Sequence, residues 1–162
     1  MLLVGCKNSN PNRPIDGEKQ LQDATENGDF TKVQQLLIAG VPADTRSPGL
    51  GWSPLHSAVA ACGHSSIVKI LLEHGAVPEL KGTFSGTTPL HMAADGGNVT
   101  CIQLLLDKGA DINCRNFVGF SPLHFAAREG RDDAIKLFLE ASPMTAVVPR
   151  SCWQLARVKP KL

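Results

Sequence analysis

Apolar residues along this chain fall into paired blocks that have the spacing of amphipathic helices. In each pair a short block containing alanine is followed by a glycine and then by a longer block rich in leucine, isoleucine and valine. The longer blocks are residues 67–72, 102–106 and 134–139. Between the pairs the chain is more polar and carries glycine, as connecting loops do. The pattern predicts a protein built from pairs of helices joined by turns.

A short motif opens each of these pairs and recurs at a nearly constant distance along the chain. Its three copies are Gly51-Trp52-Ser53-Pro54-Leu55-His56-Ser57-Ala58, Gly86-Thr87-Thr88-Pro89-Leu90-His91-Met92-Ala93-Ala94 and Gly119-Phe120-Ser121-Pro122-Leu123-His124-Phe125-Ala126-Ala127. The three prolines, at positions 54, 89 and 122, are 35 and 33 residues apart. Ser and Thr are favoured N-cap residues, and a proline at the first helical position loses no hydrogen bond. The motif therefore predicts where the first helix of each pair begins.

The repeated motif, the glycine after it, the leucine-rich second helix and a closing Gly-Ala-Asp together resemble the ankyrin repeat. The resemblance covers residues 18–140. It implies an all-α solenoid of stacked helix-turn-helix units with β-hairpin-like fingers between them. One unit cannot bury its apolar face alone, so stability comes from stacking on neighbours. The resemblance also implies that His56, His91 and His124 form hydrogen bonds between neighbouring repeats and do not share a metal ion.

The repeats divide the chain into a tail, four repeats and a C-terminal remainder. The predicted boundaries are 1–17 for a disordered tail, 18–50, 51–85, 86–118 and 119–140 for the repeats, and 141–162 for the remainder. The first repeat has its glycine at Gly28 but lacks Thr-Pro-Leu-His, which suits an N-terminal cap with one side in water. The remainder contains Ser151, where a fifth first helix would begin, but no matching second helix. We expect it to be an incomplete repeat, either a capping helix or a frayed tail.

Near the N-terminus, Leu3-Val4-Gly5-Cys6 is similar to a bacterial lipobox, in which the cysteine becomes lipidated. The apolar stretch is too short for a signal peptide, and no basic region precedes it. Cys6 would be a lipidation site only if the start codon lay upstream. We therefore expect a cytoplasmic protein, and the alternative is a lipid-anchored periplasmic or secreted protein with a protective or host-directed role.

Composition and charge narrow the possible functions. The formal net charge is +1, so no broad positive field attracts nucleic acid or an anionic membrane. No apolar run approaches the length of a membrane span. The cysteines include no Cys-x-x-Cys pair, and the sequence has no glycine-rich phosphate loop, nucleophile elbow or His-Glu-x-x-His. We expect a monomeric, non-catalytic protein without metal or cofactor, whose partner is another protein.

The resemblance implies that a partner binds the concave face, which the fingers and the exposed side of the first helices form. The predicted fingers contain residues 46–52, 79–87 and 115–120, and the exposed first-helix positions include Ser57. Seven residues are the predicted partner contacts: Trp52, Phe84, Met92, Phe117, Phe120, Phe125 and Arg128. Aromatic residues and arginine dominate interface hot spots, and large apolar side chains on loops are costly without cover. The alternative for Phe117 and Phe120 is that they only pack one finger against its neighbour.

Overall fold

The computed structural model describes residues 14–61 and 64–141. Within these residues the chain forms eight α-helices and no strand, which confirms the predicted all-α class. The helices are α1 (Pro14–Glu26), α2 (Phe30–Ile38), α3 (Pro54–Ala60), α4 (Ser65–Glu73), α5 (Pro89–Gly96), α6 (Val99–Asp107), α7 (Pro122–Arg128) and α8 (Asp132–Ala141). None of these described helices is long and apolar enough to cross a membrane.

The helices stack in two rows. The first helices of the repeats contact one another in the order α1, α3, α5 and α7, and the second helices in the order α2, α4, α6 and α8. Each first helix also contacts the second helix that follows it in the chain. This is the stacked helix-pair architecture that the repeats predict, in which each repeat covers the apolar face of its neighbour.

One leucine recurs in the core of the stack. Leu21, Leu55 and Leu90 lie in the first helices of the first three repeats, and all three are fully buried. The second helices add further fully buried side chains, among them Val68 and Leu105. Each such side chain contributes about 1.5–3 kcal/mol relative to an exposed one. Because the buried residues form one cluster that runs through all four repeats, the core is continuous along the solenoid.

The first helices of the second, third and fourth repeats begin as the motif predicts. Ser53, Thr88 and Ser121 are N-cap residues with extended backbone, and the proline that follows each one opens the helix. Two second helices also have a side-chain cap. Asp29 and Asn98 each accept a hydrogen bond from the backbone N–H three residues ahead, at 3.0 and 3.2 Å. These caps fix the points at which loop becomes helix, and hence the direction of each loop.

The fingers are closed by backbone hydrogen bonds at their ends. These bonds run from the N–H of Ser47 to the carbonyl oxygen of Trp52 (2.8 Å), from Gly82 to Thr87 (2.9 Å) and from Asn116 to Phe120 (3.0 Å). The pairing is that of a hairpin, although no strand is formed in the part of the chain that the structure describes. The closed turn projects the residues between its ends away from the helices.

The chain becomes helical earlier than the predicted end of the tail. Helix α1 begins at Pro14, so residues 14–17 belong to the first helix and not to the tail. At the other end, α8 extends to Ala141. Cys6 and residues 142–162 lie outside the described residues. Lipidation at Cys6, disorder in the tail and both alternatives for the C-terminal segment therefore stay predictions.

Candidate functional site

His56 connects its own helix to the next repeat. Its Nδ1 accepts a hydrogen bond from the backbone N–H of Ser53 at 3.1 Å, and its Nε2 lies 3.0 Å from the carbonyl oxygen of Thr87. A carbonyl oxygen only accepts, so Nε2 carries the proton and donates it. His91 repeats the arrangement, with the N–H of Thr88 at 3.2 Å and the carbonyl oxygen of Phe120 at 2.9 Å. Each ring therefore holds an N-cap on one side and the following finger on the other.

The buried histidines are held in their neutral form. Burial lowers the pKa of His56 from 6.5 to about 4, against the opposing effect of its hydrogen bond to the carbonyl of Thr87, and nearby Arg46 lowers it further. Burial likewise lowers the pKa of His91, again opposed by the bond to a carbonyl oxygen. Neutral rings match the geometry, because only a neutral ring accepts at Nδ1 while it donates at Nε2.

His124 has a different environment in the fourth repeat. Its Nδ1 accepts from the backbone N–H of Ser121 at 3.2 Å, but the side chain is exposed. In the second and third repeats the following finger supplies the carbonyl partner of the histidine Nε2. All three histidines engage the N-cap of their own helix, so His56, His91 and His124 serve three separate helix starts.

The fingers are joined to one another in a row. The backbone N–H of Thr83 donates to the carbonyl oxygen of Leu50, and that of Phe117 donates to the carbonyl oxygen of Ser85, both at 3.0 Å. Basic side chains add a second set of bonds along the row. Arg46 Nη1 donates to the carbonyl oxygen of Lys81 at 3.0 Å, and Lys81 Nζ donates to that of Arg115 at 3.1 Å. The three fingers therefore form one continuous edge with basic groups along it.

Three phenylalanines are exposed on this edge. Phe84, Phe117 and Phe120 expose 72%, 65% and 47% of their surface. The ring of Phe117 lies against Gly86 of the preceding finger, where a β-carbon would come within 2.5 Å of the ring. The Nζ of Lys81 lies 6.0 Å from the centre of the same ring. Phe117 thus packs on its neighbouring finger and still presents most of its ring to solvent.

The first helices bring three other predicted contacts together. Met92 and Phe125 are half-buried and line a groove of about 720 Å³, whose other apolar residues include Val59 and Val99. The guanidinium of Arg128 lies 5.0 Å from the centre of the Phe125 ring. Arg128 is held there by an ion pair with Asp95, with Nη2 2.8 Å from Oδ1. The groove thus combines an apolar floor with charged groups at its edge.

Trp52 is less exposed than the three phenylalanines of the fingers. Its ring stacks on the imidazole of His56, with ring centres 6.5 Å apart and planes 8° apart. Cδ1 of its indole ring lies 3.3 Å from the position that a β-carbon on Gly82 would occupy. The tryptophan is therefore packed between the first helix of its own repeat and the following finger.

Ser57 differs from its predicted exposure, and Arg131 is a groove residue that is not among the predicted partner contacts. Ser57 is buried, because Gln22 of α1 covers it and hydrogen-bonds to its hydroxyl. Arg131 lines the groove and donates from Nε to the carbonyl oxygen of Asp95 at 2.9 Å. A signal for Arg131 exists in the sequence: it occupies the position of the N-cap Asn98 in the previous repeat, and arginine is not an N-cap residue.

The described cysteines do not suggest a reactive centre. Burial raises the pKa of Cys101 to about 11, and it also raises the pKa of Cys114. Both groups are thiols at neutral pH, and a thiol is a poor nucleophile and metal ligand. Within residues 14–61 and 64–141, no group of three or more His, Cys, Asp or Glu side chains is placed to hold a metal ion.

Comparison with known proteins agrees with the geometry. Residues 2–82, 21–116 and 79–147 each match the family described as ankyrin repeats. The 2-5A-dependent ribonuclease of Mus musculus is 40% identical over 79 residues, which cover 49% of this chain and 10% of the ribonuclease. The ankyrin repeat protein YahD of Escherichia coli is 35% identical over 94 residues, which cover 56% of this chain and 46% of YahD.

A third relative shows the same partial coverage. The transient receptor potential cation channel subfamily A member 1 homolog of Caenorhabditis elegans is 37% identical over 97 residues, 60% of this chain and 8% of the channel homolog. The chain thus spans under half of the length of each of these three relatives. Ankyrin repeats generally mediate protein–protein interaction and are typically non-catalytic. From its repeats, its stacked helix pairs and these matches, the chain belongs to the ankyrin repeat family.

Proposed function

We propose that this chain is a non-catalytic adaptor or inhibitor that binds another protein through its concave face. We define that face as the three fingers together with the groove lined by Met92 and Phe125. The observation that carries the proposal is the row of exposed phenylalanines on the fingers, led by Phe84 and Phe117. An apolar row on a folded surface marks an interaction site.

The energetics of the exposed rings favour a protein partner. Phe84 and Phe117 both lie mostly in solvent, although each is held on a finger that is fixed by backbone hydrogen bonds. Covering one such ring contributes about 1.5–3 kcal/mol, and a finger whose backbone is already held loses little conformational entropy on binding. Two rings on neighbouring fingers can therefore act as anchors for one surface.

The groove supplies a second contact area on the same face. Met92 is flexible and adapts to different surfaces, while Phe125 is fixed between His91 and Arg128. The ion pair of Arg128 with Asp95 is exposed, so its net stabilisation is small and its charges remain available to a partner. A rigid row of fingers beside an adaptable groove suits recognition of a folded protein surface.

Partner capture from cell extract tests this proposal. The immobilised chain is compared with the double variant Phe84→Ala/Phe117→Ala and with the control Ile38→Ala. Ile38 is 72% exposed, as Phe84 is, but lies at the end of α2 in the row of second helices. We expect the double variant to lose the captured protein and the control to retain it. Equal capture by all three chains would overturn the proposed face.

The setting of this function is also proposed. We place the protein in the cytoplasm and expect it to be a monomer. The described cysteines Cys101 and Cys114 are free thiols, which agrees with a reducing compartment such as the cytoplasm. The alternative, a lipid-anchored periplasmic or secreted role, depends on Cys6, which lies outside the described residues. Mass spectrometry of the N-terminal peptide separates the two, since lipidation adds a large apolar mass to Cys6.

A further inference from the structure

The continuous edge that the three fingers form carries a basic side chain on each finger. Arg46, Lys81 and Arg115 are 35 and 34 residues apart, and all three are exposed. We propose that this edge binds an acidic segment of the partner protein, in which Asp or Glu side chains stand next to apolar ones. The inference rests on the proposed function and deepens it, because it states the chemistry of the partner that the concave face recognises.

The three basic side chains are oriented by carbonyl oxygens. Arg46 and Lys81 each donate to the carbonyl oxygen of the basic residue on the next finger, at 3.0 and 3.1 Å. Arg115 donates from Nη1 to the carbonyl oxygen of Gly119 at 2.8 Å. A carbonyl oxygen has no net charge, so these bonds hold the cations in place without neutralising them. Lysine and arginine each have several N–H groups, which leaves donors for a partner.

The carboxylates of the loops bond elsewhere. Asp44 and Glu79 each accept a hydrogen bond from a backbone N–H of the next repeat, at 2.9 and 2.8 Å. Within residues 14–61 and 64–141, the basic side chains in ion pairs are those of Arg128 and Lys136, and neither lies on a finger. The loop carboxylates therefore connect neighbouring repeats, while the cations lie along the edge.

The first finger is less positive in its surroundings than the other two. Glu18, Asp23 and Glu26 of α1 line a cleft together with Arg46, although none of them forms an ion pair with it. We therefore assign the carboxylate contacts of the partner to Lys81 and Arg115, on the second and third fingers.

The same two fingers carry exposed apolar side chains. Phe84 and Val118 each expose 72% of their surface and Phe117 exposes 65%, and Nζ of Lys81 lies 6.0 Å from the centre of the Phe117 ring. A partner carboxylate on Lys81 thus brings its neighbouring side chains over that ring. A purely apolar segment would remove water from the cations without replacing it, and a basic segment would be repelled.

A selection from a random peptide library displayed on phage tests this chemistry without knowledge of the partner. The full chain and its charge-reversed variant Lys81→Glu/Arg115→Glu are immobilised in parallel. We expect the native chain to retain peptides enriched in Asp and Glu beside apolar residues, and the variant to lose this enrichment. No retained peptide, no acidic excess on the native chain, or an equal excess on both chains would overturn the inference.

An isosteric peptide pair then measures the charge contribution on the native chain itself. The most enriched peptide is compared with a counterpart in which Gln replaces each Glu and Asn replaces each Asp. We expect the neutral counterpart to bind about tenfold more weakly, as two exposed ion pairs imply, and the difference to shrink at high salt. Equal affinities for the two peptides would overturn the inference.

The variant Lys81→Gln/Arg115→Gln locates the effect. It should bind the acidic peptide about tenfold more weakly and should no longer distinguish it from the neutral counterpart. The matched control Lys69→Gln/Lys108→Gln removes the same charge from exposed positions in α4 and just after α6, in the row of second helices, and should leave the affinity unchanged. An equal loss in both variants would mean that net charge, and not this edge, attracts the peptide.

Two further outcomes separate this inference from other readings of the same face. Fluorescein-labelled oligouridylate that bound more tightly than the acidic peptide would assign the edge to nucleic acid and overturn the inference. Retained peptides that depend on Phe84 and Phe117 but show no acidic preference would also overturn it, although the proposed binding face would stand.

Discussion

The Nε2–H of His56 donates to the carbonyl oxygen of Thr87, a residue of the following repeat 3.0 Å away. The bond crosses the boundary between two repeats, and its donor is a ring whose other nitrogen caps its own helix. One side chain therefore sets both the start of a helix and the position of the next finger. The stability of the stack depends on this ring being neutral, and that dependence can be measured.

We expect the protein to lose stability as the pH falls from about 6.5 to about 4. The folded protein lowers the pKa of His56 to about 4, whereas the unfolded chain has a pKa near 6.5, so the unfolded state binds the proton first. The stabilisation is complete above pH 6.5, and its loss amounts to about 3 kcal/mol once the pH reaches the folded pKa. Urea unfolding at a series of pH values measures it.

His56→Gln provides the comparison for this pH dependence, because glutamine does not titrate. The variant should be less stable at neutral pH but should show a shallower decline between pH 6.5 and 4. Carboxylates titrate in both proteins and cancel in the difference. If both proteins declined with the same slope, His56 would not be the group responsible.

Leu105→Ala should be strongly destabilising. Leu105 is fully buried in α6, at the centre of the row of second helices, and its removal leaves a cavity between repeats. We expect a loss of about 2–5 kcal/mol in the free energy of unfolding. The exposed Lys108, just after the same helix, serves as the control: Lys108→Ala should change stability by less than about 0.5 kcal/mol. Similar effects at both sites would contradict the orientation of α6.

The N-cap serines should differ in their importance. Ser53 is buried and its Oγ lies 2.9 Å from Nδ1 of His56, whereas Ser121 makes the corresponding contact with His124 in an exposed setting. We expect Ser53→Ala to cost about 1–2 kcal/mol and Ser121→Ala to cost less, about 0.5 kcal/mol. Thermal or urea unfolding of the two variants checks the order. The reverse order would show that burial does not control the strength of these caps.

Gly86→Ala should destabilise the fingers through Phe117. Gly86 has a φ of 65°, a left-handed conformation that costs alanine about 1–2 kcal/mol, and the added β-carbon would also come within 2.5 Å of the Phe117 ring. Gly119→Ala shares the backbone cost, at a φ of 92°, but its β-carbon would have no neighbour within 4 Å. Urea unfolding should therefore show a larger loss of stability for Gly86→Ala than for Gly119→Ala.

The double variant Gly86→Ala/Phe117→Ala separates the two contributions to that loss. Without the Phe117 ring, the substitution at Gly86 should cost only the strain of its backbone. The double variant should therefore lose less unfolding free energy than the sum of the losses of the two single variants. Additive losses would mean that the ring does not rest on this glycine.

The local parts of the fold follow from the sequence because their causes are local. An N-cap followed by proline starts a helix wherever it occurs, so Ser53 and Pro54 predict the start of α3 without reference to the rest of the molecule. Periodic apolar residues similarly predict the second helices. The sequence could not give the burial of Ser57, because it depends on Gln22, a residue 35 positions earlier in another helix.

In the candidate sites, too, some features can be predicted from the sequence and others depend on three-dimensional contacts. The exposure of Phe84 and Phe117 can be predicted because both follow directly from their positions on the fingers. That Met92 and Phe125 line one groove cannot be predicted, since they lie in different helices, α5 and α7, and only three-dimensional contacts bring them together.

Two of the bonds that join the fingers, from Thr83 to Leu50 and from Phe117 to Ser85, use main-chain atoms only, and none of the side-chain bonds along the row involves position 84 or 118. The side chains at the tips can therefore be exchanged while the frame that carries them stays the same. Positions 84 and 118, both exposed, are natural sites at which to vary residues in a library of new binders. In the same way, natural mutation can redirect this surface to a different target without a new fold.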